Sequence, residues 1–240
     1  MSAGDSETIW DSEAHKLFAC LNLQDGEGVR PGEYDPLNAI WRHPETSKAV
    51  FIGNIKAARM KDIHQQHGIT RVVNCTQKDR HGSIRNFYSG LNEYEYLQFP
   101  LSSCPVTQTA GKTLDFFRPF FAWVDQALET DRSSVLIHCL AGAHRAGTSG
   151  IAYLMYASGL NAAEAIELAQ SCRPAIDPMA GNGSFFRILQ QLERDLRATD
   201  SSSGASQSEP AARSCPPSEK KQGAAAGAGG GERLDGQQPA

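Results

Sequence analysis

The chain has 240 residues, 40% of them hydrophobic, and a net charge of -4 from 27 acidic and 23 basic side chains. That length and apolar content suit one domain of ordinary size with flexible ends, and two full domains would be cramped. Opposite charges are mixed along the sequence, so no strongly basic face is implied and nucleic acid is not a favoured partner. The first twenty residues carry Asp5, Glu7, Asp11 and Glu13 and no long apolar run, which excludes an ordinary secretory signal peptide. No stretch approaches the roughly 20 apolar residues that a membrane-crossing helix needs. A soluble protein of the cytoplasm or nucleus, with no membrane partner, is expected. Cysteines at 20, 75, 104, 139, 172 and 215 form no CxxC pair, and in a chain of this length reduced thiols are expected.

Residues 1–45 read as a partly ordered arm. Ile9, Trp10, Leu17, Phe18, Leu21 and Leu23 could form a short packed helix, whereas Pro31 to Pro44 reads as loop. From 46 to 198, short β-branched runs alternate with helical patterns, the mark of an α/β domain with a central, twisted, mostly parallel sheet flanked by helices. The predicted strands are Ala49 to Ile52, Arg71 to Cys75, Tyr94 to Phe99 and Ser134 to His138. One helix is predicted from about Ile55 to His67, closed by Gly68. Apolar residues from Leu114 to Leu128 predict another, with Pro119 either starting it or kinking it. Ile151, Leu154 and Met155 share one face of a helix that Ser158-Gly159 ends. Asn161, with Glu164 three positions on, caps the next helix, which Pro174 bounds. Phe185, Ile188, Leu189, Leu192 and Leu196 mark a last amphipathic helix. Residues 199–240, rich in Ser, Gly, Ala, Pro and Gln, read as a disordered tail.

The chemistry is concentrated where the apolar run Val135-Leu136-Ile137 leads into His138-Cys139-Leu140-Ala141-Gly142-Ala143-His144-Arg145 and then a helix. A strand, a tight loop and a helix start can turn about five or six consecutive backbone N–H groups into one concavity, with the positive end of the helix dipole behind them. Such a site suits a dianion bound by the amides of Leu140, Ala141, Gly142, Ala143, His144 and Arg145. Gly142 permits a backbone conformation that other residues resist, and Arg145 offers a planar fork for two phosphate oxygens. The same amides are expected to lower the pKa of Cys139 and give a thiolate near neutral pH. That thiolate would attack phosphorus in line, form a phosphocysteine and be released by water, with no metal or cofactor required. His138 is expected to support the loop through hydrogen bonds.

This segment resembles the His-Cys-X5-Arg signature loop of the protein tyrosine phosphatase superfamily, and its surroundings resemble the dual-specificity branch. Val50-Phe51-Ile52-Gly53-Asn54, His67 to Thr76, and Arg173-Pro174-Ala175-Ile176-Asp177-Pro178 are similar to stretches of that branch, so the resemblance covers roughly residues 48 to 197. It implies hydrolysis of phosphotyrosine, and in a wider specificity of phosphoserine and phosphothreonine, in phosphorylated protein substrates.

Two residues depart from the pattern. The family's general-acid aspartate would fall at about Ser103, and the hydroxyl residue after the signature arginine is replaced by Ala146, with Thr148 two positions on. A serine is far too weak an acid for the first role. Asp177 and Asp79 are candidate substitutes, and Asp115, in a helical pattern, is less suited. The alternative function is a pseudophosphatase that binds phosphoproteins with little turnover. A phosphoinositide or an RNA 5′ phosphate fits less well, since Leu140, Ala141 and Ala143 add no basic side chain beside the nucleophile, and rhodanese-type sulfur transfer fits less well because the flanking stretches resemble the phosphatase branch. His144 stands where the family commonly has a small residue, and its side chain is expected to point out beside the pocket. Cys75 and Cys104 are core residues or partners of Cys139 in a protective disulfide.

Overall fold

A computed structural model describes residues 35–77, 83–105, 109–180 and 183–203, with side chains described through residue 199. In chain order it has strands β1 (Leu37–Arg42) and β2 (Ala49–Gly53), helices α1 (Ile55–Arg59) and α2 (Lys61–His67), and strands β3 (Ile69–Asn74) and β4 (Glu95–Gln98). Helix α3 (Lys112–Glu129), strand β5 (Ser134–His138) and helices α4 (Arg145–Ser158), α5 (Ala162–Cys172) and α6 (Ser184–Ser203) follow. The strands form one sheet in the order β1-β2-β5-β3-β4. β2, β5, β3 and β4 are parallel to one another, and β1 is antiparallel to β2 at the edge. The expected α/β class and mostly parallel sheet are therefore present.

Every residue of β2 and β5 is buried, as a strand covered on both faces requires. Successive side chains point to opposite sides. Val135 and Ile137 join a large cluster with Phe117 of α3, Ile151 of α4, Ala165 of α5 and Leu189 of α6. Leu136 and Phe51 join a smaller cluster with Ala57 and Ala58 of α1. Helix α4 is buried at all positions from Arg145 to Met155. It lies this close to the sheet because residue 150 has no side chain: a Cβ there would sit 2.4 Å from Ile52 and 2.8 Å from Ile40.

The helix ends follow the sequence signals closely. Gly68 and Gly159 take left-handed φ values of 62° and 62° at the C-termini of α2 and α4. Asn161 and Glu164 form a complete capping box on α5, each accepting the other's backbone N–H at 3.0–3.1 Å.

Four features differ from expectation. The stretch read as loop contains β1, whose pairing with β2 shifts register between Ala39 and Trp41; that irregularity spoils the two-residue alternation by which a strand is recognised. The helix expected over 55–67 is two helices, because Met60 adopts an extended conformation (φ -95°, ψ 94°) between them. α3 begins at Lys112 and runs unbroken through Pro119, so Pro119 neither starts nor ends it. Its start is held from another element: buried Asp195 of α6 accepts the Leu114 N–H at 3.1 Å. Finally, α6 continues to Ser203, into the first residues of the stretch expected to be disordered.

Cys172 is disulfide-bonded, which departs from the expectation of reduced thiols, while Cys75, Cys104 and Cys139 are free. Among the described residues no helix is long and apolar enough to cross a membrane. The arm through residue 34, the tail beyond 203, and Asp79 lie outside the described residues.

The capping box predicts a measurable cost. Asn161→Ala should lower stability by about 1 kcal/mol, seen as a lower urea midpoint with unchanged slope in an unfolding titration.

Candidate active site

The site begins where β5 ends. Beyond His138 the chain makes a loop, Cys139 to His144, and enters α4 at Arg145. The carbonyls of this loop are held by groups outside it, one after another. Leu140 O accepts the Ile55 N–H at 3.0 Å, Ala143 O accepts the Asp177 N–H at 3.3 Å, and His144 O accepts the Thr148 N–H at 2.8 Å. Gly142 O and Ala141 O accept from the Arg173 guanidinium, Nε at 2.9 Å and Nη2 at 3.4 Å. Carbonyls held on the outside leave amide N–H groups for the inside. The Gly142 N–H donates to Cys139 Sγ at 3.3 Å, and the amides of Ala146 and Ala143 also act on that sulfur.

Gly142 is required twice over. Its φ is +67°, and a Cβ would lie 2.5 Å from both the carbonyl carbon and the oxygen of Gly53. The loop therefore closes directly onto the turn between β2 and α1, with no side chain intervening.

Arg173 is the residue that sequence reasoning passed over, quoting it only as part of a matching turn. Its side chain is 1% exposed. Besides the two loop carbonyls, its Nη1 reaches Asp35 O at 2.9 Å and Asn38 Oδ1 at 2.6 Å. A fully buried charge spent on main-chain carbonyls is a positioning group. The one sequence signal for it was an arginine directly before Pro174, beyond the end of an otherwise apolar helix.

The electrostatics of Cys139 differ from expectation. Its side chain is 2% exposed. Burial is the largest influence and pushes the thiol above its ordinary range, while the amides of Ala146, Gly142 and Ala143 and the charge of Arg173 pull it down. In the closed loop desolvation of the sulfur anion outweighs the amides, so the expected low pKa is not the net result here. Arg145, also 1% exposed, is drawn down to about 10 by desolvation, and so stays charged at neutral pH.

His138 does not do what was expected of it. Neither ring nitrogen has a hydrogen-bond partner of good geometry among the described residues. Complete burial lowers its pKa to about 4, against an opposing pull from the Cys139 backbone and with a further lowering from the charge of His64. The ring is a neutral packing element beneath the loop. His144 is 5% exposed rather than pointing out beside the pocket.

None of the candidate acids is available where described. Asp177 binds the loop through its backbone N–H, but its carboxylate is on the exposed side and accepts the Met179 N–H at 2.9 Å. Asp115 lies on the exposed face of α3 beside Arg118, at 3.5 Å. Ser103 ends a single 3-10 turn, its Oγ 3.5 Å from Gln77 Nε2. Ala146 is fully buried. Thr148 Oγ1 is buried without a partner among the described residues, and Ser149 Oγ donates to Arg145 O at 3.0 Å while lying 3.5 Å from Cys75 Sγ. Cys75 itself directly follows Asn74, which pairs with His138 in parallel register, so Cys75 and Cys139 are neighbours across strands about 4.8 Å apart.

Comparison with known proteins agrees with this geometry. The family model for the dual specificity phosphatase catalytic domain matches residues 50–195. The chain belongs to the dual specificity phosphatase family. Over 162 residues this phosphatase is 31% identical to dual specificity protein phosphatase 13B of Mus musculus, covering 67% of this chain and 74% of the relative. Over 154 residues it is 27% identical to dual specificity protein phosphatase 1 of Arabidopsis thaliana, covering 64% and 70%. Its fold is similar to the crystal structure of a mouse putative dual specificity phosphatase complexed with zinc tungstate, at 25% identity and a TM-score of 0.53, covering 72% of this chain and 96% of that one. Its enzyme class is that of a hydrolase acting on phosphoproteins.

Two predictions follow from the buried charges around the loop. Arg173→Lys keeps a charge but cannot serve the separated acceptors, so it should lower stability by about 2 kcal/mol and cut turnover of a small aryl phosphate at least tenfold. Differential scanning fluorimetry and initial rates would check both. His138, held neutral in the folded state, takes up its proton more readily when unfolded. Stability is therefore full above about pH 6.5 and declines as pH falls toward 4, by up to about 3 kcal/mol. Urea unfolding of wild type and His138→Asn between pH 4 and 7 should show the slope reduced in the variant. His64, whose pKa is also lowered by burial, adds to the remaining slope in the same direction.

Proposed function

We propose that this phosphatase hydrolyses phosphotyrosine in proteins, with phosphoserine and phosphothreonine as slower substrates, through a phosphocysteine on Cys139. The observation that carries the reading is the set of amides converging on Cys139 Sγ, with loop carbonyls turned away and buried Arg145 opening α4. Cys139 Sγ attacks phosphorus as the bond to the leaving oxygen breaks. The loop amides and Arg145 take up charge on the three equatorial oxygens. Water then attacks the phosphocysteine, releasing inorganic phosphate and the thiol.

The raised thiol pKa belongs to the closed loop. Water entering the pocket weakens the desolvation that causes it, while the amides and Arg173 keep acting. Lack of an acid at Ser103 favours substrates whose leaving group needs little protonation. A phenolate, with a pKa of about 10, leaves far more easily than an alkoxide, which supports phosphotyrosine as the main substrate. The thiol chemistry suits the reducing cytoplasm or nucleus.

A pseudophosphatase that binds phosphoproteins with little turnover is the second reading. It is favoured by the burial-raised Cys139 thiol and by carboxylates occupied elsewhere.

Turnover of a small aryl phosphate without added metal, vanadate inhibition, and loss of at least a thousandfold in Cys139→Ser are expected. Phosphopeptide binding by Cys139→Ser together with no turnover by wild type would establish the second reading instead. The pH–rate profile should keep its shape in Asp177→Asn, since that carboxylate holds its own loop.

A further inference from the structure

Among the described residues, Lys61, Arg71, Arg118 and Arg197 each sit beside an acid. Arg71 sits 2.9 Å from Asp131 and 3.3 Å from Glu95, Lys61 is 3.2 Å from Glu93, and Arg197 is close to Glu193. One group differs. Lys56 and Arg59 lie three residues apart on α1, hence on one face, and the face is not the one that buries Ala57 and Ala58. Arg85, from the segment leading to β4, lies beside them. The Arg59 guanidinium carbon is 5.8 Å from the centre of the Phe87 ring and the Arg85 carbon 5.2 Å from the same centre. Arg59 and Arg85 are exposed and Lys56 half-buried. None of the three has an acidic partner among the described residues. Asp62 shares the neighbourhood, acting on the Tyr88 hydroxyl with the sign opposite to Arg59 and Lys61, but it makes no ion pair with them.

Two guanidiniums against one ring repel each other and are held there by the ring's face. An incoming anion relieves that repulsion. Their place in the fold ties them to the catalytic loop. The Ile55 N–H is bonded to Leu140 O at 3.0 Å, so Lys56 is next to the loop, and Arg59 is three residues on, about 4.5 Å along the axis. The Arg85 segment is anchored at the end of β3, where Asn74 Nδ2 binds Ile84 O at 2.6 Å and Asn86 Oδ1 at 2.9 Å, level with His138. An extended peptide advances about 3.3 Å per residue. Side chains two to four positions from a bound residue therefore lie about 7 to 13 Å from it along an extended peptide.

We infer that Arg59 and Arg85, which share the Phe87 ring, together with Lys56 on the same face of α1 as Arg59, form a docking clamp for acidic residues flanking the phosphorylated residue of a protein substrate. This rests on the proposed phosphoprotein reading and names the substrate class that it leaves open.

The test compares two phosphotyrosine peptides that differ only in having Glu or Gln at positions two to four on both sides. Binding to the full-length Cys139→Ser protein is read by fluorescence anisotropy at low salt. The acidic peptide should bind about tenfold tighter, and the advantage should shrink with added salt. Arg59→Gln with Arg85→Gln should reduce the ratio below about threefold, while Arg59→Lys with Arg85→Lys should retain most of it and show that the fold survives. A wild-type ratio near one, failure to bind either peptide, or a ratio unchanged in the double Gln variant overturns the clamp. Aryl phosphate turnover by the unmodified chain is measured beside it. Discrimination without turnover removes the hydrolytic reading and leaves the clamp, whereas turnover without discrimination does the reverse.

Discussion

The arrangement at Cys139 depends on where the carbonyls of its loop go. A backbone N–H and the preceding carbonyl point in opposite directions across each peptide plane, so fixing one fixes the other. Ile55, Arg173, Asp177 and Thr148 together hold the carbonyls from Leu140 to His144 on the outer side. The inward amides are a consequence. No side chain of the loop needs to touch a phosphate for the loop to favour one, which is why Ala141 and Ala143 suffice between the nucleophile and Arg145.

The same constraint sets the cost. A loop bonded on every side is buried on every side, and in that setting a sulfur anion loses its water before it gains a phosphate. The geometry thus preorganises the site and raises the thiol pKa at once. Among the described residues neither Asp177 nor Asp115 turns its carboxylate to the loop, so the proposed reaction draws on the electrostatics of the cradle more than on proton transfer, and it is on that proposal that aryl esters are favoured over alkyl ones.

Much of this was legible in the sequence, for reasons that can be named. β2 and β5 declared themselves because strands buried on both faces are apolar throughout, and α4 and α5 because Gly159 and the Asn161–Glu164 pair are unambiguous end signals. Cys139 and Arg145 as candidate site residues, and Gly142 between them, follow from chemistry at fixed spacing. What was missed is long-range. β1 is broken by a register shift and bounded by prolines, so its local pattern resembles a loop; only pairing with β2 makes it a strand. The cap on α3 comes from Asp195, some eighty positions away. Arg173 stands out only once its acceptors are known, and the pKa of Cys139 depends on how completely the loop is buried, which no local pattern encodes.

The reach of Arg173 carries a further meaning. Through Asp35 O and Asn38 Oδ1 it wires the first edge strand to the phosphate cradle on a single rigid side chain. β1 is therefore not only a border of the sheet but part of the scaffold behind the nucleophile. A shortened chain beginning at Ala49, the first strand visible from sequence, would have a nearly complete sheet and would still release one side of the catalytic loop.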